Sequence, residues 1–281
     1  MALIESPKNK EVTAFKTKEM TFFDHLDELR KHILRSIVAM VIAGILIFLN
    51  KDLVFDDILF GVRSPDFAFY RFSCWFSESL GLGKRICMSP VEFDIITIGL
   101  GEEFITHLKV SLIGGFVLAF PYVFWEFWRF IKPGLLPDEQ KSTRGVVLVC
   151  SFLFLSGVLF GYFIISPFAV NFLAGYSIGQ VTSTVALSSF INYLVMFMVP
   201  TGLAFEMPLV VYYLAKVGLV TADFMRKYRR HAIVVLLITA AMITPPDMIT
   251  QLLIGIPLYI LYELSIFIAA REEKKREISL R

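Results

Sequence analysis

The sequence predicts an all-α polytopic membrane protein, and three observations carry that prediction. Of 281 residues, 56% are hydrophobic and only 19% charged, where a soluble domain carries about 25% charge. The 61 residues from Gly145 to Phe205 contain no Asp, Glu, Lys or Arg. As one straight helix they would measure about 90 Å, three times a hydrocarbon core of about 30 Å, so the chain must turn within them. Finally, Lys and Arg concentrate in alternate connections between the apolar runs. The formal net charge of +2 is too balanced for nucleic-acid binding by bulk electrostatics, and three cysteines cannot staple a chain of this length.

Taken in order, residues 1–20 form a polar tail with Lys8, Lys10, Lys16 and Lys18, and lack the features of a cleavable signal. Thr21 to Ser36 reads as an amphipathic helix: Thr21 caps with Asp24 three residues on, and Phe22, Leu26, Leu29 and Ile33 make the apolar stripe. Its acids have a bland reading in the pairs Asp27 with Lys31 and Glu28 with His32. The first span is Ile33–Leu49, followed by a long segment, residues 51–103, containing Cys74 and Cys87. These two are either a disulfide or two free thiols; Cys150, in the third span, packs. Val110–Trp125 is the second span and Val146–Ile165 the third. A break begins at Ser166-Pro167 and continues through the uncharged polar stretch Gly175–Ser189, and the fourth span is Ile191–Ala215.

The fifth span, Ala232–Ile243, is about 18 Å long in its apolar part, short for a bilayer. It extends backwards if Tyr228, Arg229 and Arg230 snorkel, or the bilayer thins around it. The competing reading is a re-entrant hairpin of the last two segments about residues 244–247. Leu252–Ala270 is the sixth span, and residues 271–281 are a charged tail. The membrane domain is then residues 21–270.

The cations orient this chain. Arg129, Lys132, Lys141 and Arg144 lie between spans two and three, and Lys216, Arg226, Lys227, Arg229 and Arg230 between four and five. The links between three and four and between five and six have none. The positive-inside rule then places both termini in the cytoplasm and residues 51–103 outside.

A search for chemistry finds little. His25, His32, His107 and His231 read as lying at or beyond the span ends, out of reach of a membrane serine. The pair His25 and Glu28 lacks the second His of a zinc-protease helix, and no phosphate-cradling Gly-rich loop is present. The sequence predicts no enzyme, metal or cofactor.

Three features suit binding instead. Acids on the Thr21–Ser36 helix stand among cations at an inner surface whose anionic headgroups repel them, which suggests a basic partner. In the loop after span two, Trp125, Trp128 and Phe130 suit the headgroup level, while Pro133, Gly134 and Pro137 make a stiff bend presenting Asp138 and Glu139. The two acids also fit the first turn of a following helix. Within the bilayer, Glu206 lies mid-span, where an ionised acid costs roughly 2.5–3.5 kcal/mol, and Glu263 nearer the inner end snorkels. Glu206 also fits a proton-coupled secondary transporter of a small solute, the alternative function.

Four motifs, in this order, resemble the TatC family of the twin-arginine protein translocase. They are His25-Leu26 with Glu28-Leu29-Arg30; Phe130 with Pro133, Gly134, Leu135, Pro137 and Glu139; Phe205-Glu206 with Pro208; and residues 244–247 with Gln251. The resemblance runs from about Phe22 to Ala270. It implies six spans in a concave glove-like bundle, both termini cytoplasmic, the last two helices short, in a bacterial inner membrane. It also implies a receptor for the twin-arginine signal peptides of folded precursors, homo-oligomeric, assembling with TatA- and TatB-type single-span subunits and driven by the protonmotive force.

Residue by residue, Glu139 matches the loop acid that recognises the arginines and Glu28 the N-terminal acid that assists it. Arg30 and Phe130 match residues shaping that surface. Glu206 matches a membrane acid that meets a partner helix, with Gln251 close in role. The sequence departs from the family in a longer outer segment, from Arg63 to Lys84, and in Asp138, which stands where a basic residue is usual.

Overall fold

Apolar runs in this chain become helices because only an α-helix satisfies its backbone within hydrocarbon. The computed structural model describes residues 22–79, 81, 87–131, 143–176, 184–243 and 248–280. Five helical stretches are long and apolar enough to cross a membrane: His25–Leu49, Glu102–Ile131, Gly145–Gly175, Leu187–Val217 and Thr250–Lys275.

Helix α1 (Phe22–Leu49) is continuous, so the expected amphipathic segment is the first half of the span itself rather than a separate surface helix. Residues 51–103 are far from an open loop. A wide π-helical turn (Leu53–Leu59) and a tight 3-10 turn (Phe60–Arg63) lead to α2 (Ala68–Ser79) and then to β1 (Asp94–Ile96). Helix α3 (Glu102–Ile131) follows, and α4 (Thr143–Phe160) begins after the segment outside the described residues.

The expected break at Ser166-Pro167 does not occur. A π-turn, Gly161–Ile165, carries the chain into α5 (Ser166–Gly175), where Pro167 sits in the first turn and needs no amide partner. Ser166 Oγ donates to the Gly161 carbonyl, so the extra residue of the π-turn leaves no orphan there.

Strand β2 (Thr184–Ala186) pairs in parallel with β1, a two-stranded sheet that the all-α expectation lacked. Helix α6 (Leu187–Ala204) stops at Phe205-Glu206, and α7 (Met207–Val217) restarts with Pro208 in its first turn, so Glu206 lies at a kink and not within a straight span. The left-handed Gly218, φ 84°, ends α7. Thr221 then caps the short α8 (Ala222–Lys227), accepting from the Phe224 amide at 3.2 Å.

Helix α9 (Arg229–Ile243) has 15 residues, short as expected, and starts at the cations that the extended reading included. The last helix is not short: α10 (Met248–Leu280) has 33 residues, and the charged tail continues it as far as Leu280. Its spanning stretch, Thr250–Lys275, has 26 residues, about 39 Å as a helix, of which the last five are charged.

Helix α1 packs chiefly on α3; α3 continues to α4 and α6; and α10 lies against α7, α9 and α8. Three buried clusters follow this order. One centres on α10, with Ile254, Leu258 and Ile266. A second joins Phe120, Cys150 and Phe154 between α3 and α4. The third lies under the 51–103 end, with Val62, Tyr70, Tyr162 and Leu194. That end is tied by polar bonds. Tyr162 donates to the Ile58 carbonyl at 2.5 Å, and the Val91 amide to Asn171 Oδ1 at 2.9 Å. The Glu102 carboxylate accepts from the Ile98 and Gly99 amides and, across the β pair, from the Ser188 amide. Tyr70 donates to the Val62 carbonyl, and burial pushes its phenol up to about 12, keeping the proton in place.

Cys74 and Cys87 are joined by a disulfide closing a loop of sequence separation 13, worth about 3 kcal/mol by the chain-entropy account. The protein purified without reductant is therefore expected to take up no maleimide at these positions. A Cys74→Ser, Cys87→Ser double variant should melt at lower temperature with the membrane fraction unchanged; uptake of two maleimides by the unreduced protein would contradict the bond.

Candidate functional site

The expected recognition acids Asp138 and Glu139 fall in residues 132–142, outside the described residues. The structure does describe the surfaces flanking them, where α1 begins and α3 ends. Positions 25, 29, 32 and 36 share one face of α1, and positions 122, 126 and 130 share one face of α3, by helical spacing. These two faces meet. The Phe130 ring stacks on His25 with centroids 4.5 Å apart and lies edge-on to His32 at 6.1 Å. One turn deeper, His32 Nδ1 is hydrogen-bonded to Glu126 Oε2, and Tyr122 donates to Glu126 Oε1 at 2.9 Å. Glu126 is 1% exposed and His32 7%.

This corrects two expectations. His32 lies seven residues inside the first spanning stretch, and it pairs with Glu126 rather than with Glu28. Neither Asp27–Lys31 nor Glu28–His32 forms an ion pair among the described residues. Sequence reasoning missed Glu126 because the apolar run was ended at Trp125. The signal available was a carboxylate enclosed by Trp125, Phe127 and Trp128, four residues after a tyrosine.

Glu28 is half-buried and Arg30 exposed on the same part of α1. On the last turns of α3, the Arg129 guanidinium lies over the Trp125 ring at 5.6 Å, and Trp128 is buried with its ring 4.9 Å from that of Tyr213 on α7. The helix ends thus offer a carboxylate, a stacked His–Phe platform and exposed cations around the start of the 132–142 segment. Carboxylates bind guanidinium groups through paired charge-assisted hydrogen bonds, and aromatic faces accept cations.

Glu206 and Gln251 are not brought together. Among the described residues, both Glu206 carboxylate oxygens are shut off from solvent without a well-formed hydrogen bond, and the Cys150 thiol and Phe154 backbone of α4 lie beside them. Gln251 instead donates from Nε2 to the Leu237 carbonyl at 3.0 Å, tying α10 to α9. Glu263 does not stand alone either: it accepts from Arg229 at 2.7 Å and from Tyr259 at 2.9 Å, joining the same two helices. Among the described residues no group of three or more His, Cys, Asp and Glu could hold a metal ion.

Comparison with known proteins gives one consistent result. Residues 24–257 match the family model of the Sec-independent protein translocase protein (TatC). The chain is 40% identical over 266 residues to the Sec-independent protein translocase protein TatC of Blattabacterium sp. subsp. Periplaneta americana, covering 92% of this chain and 98% of that one. It is 35% identical over 262 residues to the TatC protein of Aquifex aeolicus, covering 92% and 99%. Among solved structures, it resembles a crystal structure of the twin-arginine translocase receptor TatC in DDM, with TM-score 0.68, 34% identity, and 87% of this chain and 99% of that one covered.

Proposed function

Because the chain belongs to the TatC family of Sec-independent protein translocase components, we propose that it binds twin-arginine signal peptides of folded precursors at the cytoplasmic face of a bacterial inner membrane. It is a membrane protein of the twin-arginine translocation system, from a family of translocase components rather than catalysts, and that membership does not favour a solute transporter. The observation that carries the reading is the meeting of the α1 start with the α3 end, where His25 stacks on Phe130. It brings the helix carrying Glu28 beside the root of the segment carrying Asp138 and Glu139.

In this reading Glu139 takes the guanidinium of one signal arginine and Glu28 assists with the pair. Asp138 adds negative charge, and Phe130 and Arg30 shape the surface. Two carboxylates facing two planar forks select arginine over lysine, whose point charge cannot make the bidentate contact. The chain crosses the membrane six times in a concave bundle with both termini cytoplasmic, α9 being the short fifth span. It forms homo-oligomers and works with TatA- and TatB-type single-span subunits, whose helices meet it around Glu206 and Gln251, although in the single chain the Glu206 carboxylate is enclosed and Gln251 is bonded to Leu237. Movement of the precursor draws on the protonmotive force.

A photo-crosslinker at position 140, next to the unsubstituted Glu139, in native membranes, tests site, ligand and sidedness together. The expected result is a crosslink to a twin-arginine peptide added from the cytoplasmic side, competed at least tenfold less well by the twin-lysine peptide, since each lost charge-assisted bond is worth roughly 1.5–3 kcal/mol. Equal competition by both peptides would count against bidentate recognition.

A further inference from the structure

We propose that the buried His32–Glu126 pair is a positioning latch: it fixes the register of α1 on α3 and so sets where Glu28 stands relative to Phe130. The proposal deepens, and rests on, the twin-arginine reading of that surface.

Helix α1 has few other constraints. It packs chiefly on α3, and most of its flank, including Leu34, Val38, Val41 and Ile45, is exposed to what surrounds the bundle. Apolar helix faces in hydrocarbon have no hydrophobic force holding them in one register, so small residues and polar bonds decide it. Both occur here, at separate heights. At the half nearer residues 51–103, α1 and α3 approach closely at Gly44 and Gly115. At the other half, about 18 Å away by helix rise, stand His32 and Glu126.

The pair is well placed for register. It lies one turn deeper than the surface residues on both helices, His32 four residues after Glu28 and Glu126 four before Phe130. Tyr122 occupies the second Glu126 oxygen, fixing the carboxylate's orientation. Sliding α1 by one turn would leave the His32 ring nitrogen and Glu126 Oε2 buried without each other and move Glu28 by about 5.4 Å, out of reach of a guanidinium it had met at hydrogen-bond distance. The pair itself is buried and meets no ligand; its effect on recognition passes through Glu28 and Phe130.

Two spin-label distances and one affinity test this. Labels at positions 26 and 127, both exposed, report the His32–Glu126 half; labels at 46 and 118, also exposed, report the other half. Native Cys150 is buried. In the full-length protein in lipid nanodiscs, Glu126→Ala is expected to broaden the 26–127 distance, leave 46–118 unchanged, and weaken twin-arginine peptide binding on the order of tenfold. The exchange His32→Glu with Glu126→His should restore distance and affinity together.

An unchanged 26–127 distance would overturn the latch, as would a change in both distances, which is general misfolding. A broadened distance with unaltered affinity would overturn its role in recognition. Failure of the unsubstituted protein to bind the peptide would overturn the functional reading, with the distances still deciding whether the pair sets the register.

Discussion

Glu139→Ala is expected to abolish crosslinking and transport of a twin-arginine precursor while the quantity and protease pattern of membrane-inserted protein stay as they were. The carboxylate stands in a Pro- and Gly-rich segment, with Pro133, Gly134 and Pro137, outside the apolar runs of the sequence. Two charge-assisted bonds at about 1.5–3 kcal/mol each amount to a loss of two or more orders of magnitude in affinity. Glu139→Gln, which keeps the shape and one acceptor but loses the charge, should fall between. Glu28→Ala should cost less, because it acts as the second carboxylate. Undiminished crosslinking in Glu139→Ala would falsify the site assignment.

Gly115→Ala should have the largest effect on the fold itself. A Cβ there would stand 2.6 Å from the Gly44 amide nitrogen and 2.7 Å from the Met40 carbonyl oxygen. Both are backbone atoms of α1, which no rotamer change can move, so the helices must separate. Overpacking of this kind costs about 1–3 kcal/mol, and it opens an interface that small residues had made close. Gly145→Ala is the matched control, since a Cβ there meets nothing within 4 Å. Loss of thermal stability in detergent for the first and not the second is the expected pattern; equal melting of both variants would contradict the close approach.

Much of the helix layout was legible from the sequence because hydropathy and charge are local properties. The charge-free stretch required a turn, and α1, α3 and the short α9 fall on the runs that name them. What escaped was non-local or depended on backbone accommodation. Pro167 suggested a break, but a π-turn upstream absorbs it. Glu206 looked like a mid-span acid, and only the stop of α6 at Ala204 shows the kink around it. His32 and Glu126 are 94 residues apart, and their pairing follows from how α1 lies on α3. Glu139 lies outside the described residues: loop composition marks it and Asp138 only as acids on a stiff bend, and the role proposed for it comes from the family motif.

The two ends of the bundle are built from different materials. At the 51–103 end, paired strands, a carboxylate shared by three amides and a disulfide join elements far apart in sequence. At the other end, among the described residues, α1 and α3 are joined by side chains, a stacked ring and one buried pair. Such a body is clamped at one rim and sprung at the other. A load applied where the start of α1 meets the last turns of α3 would therefore bend α1 about its Gly44 contact instead of tilting the whole molecule.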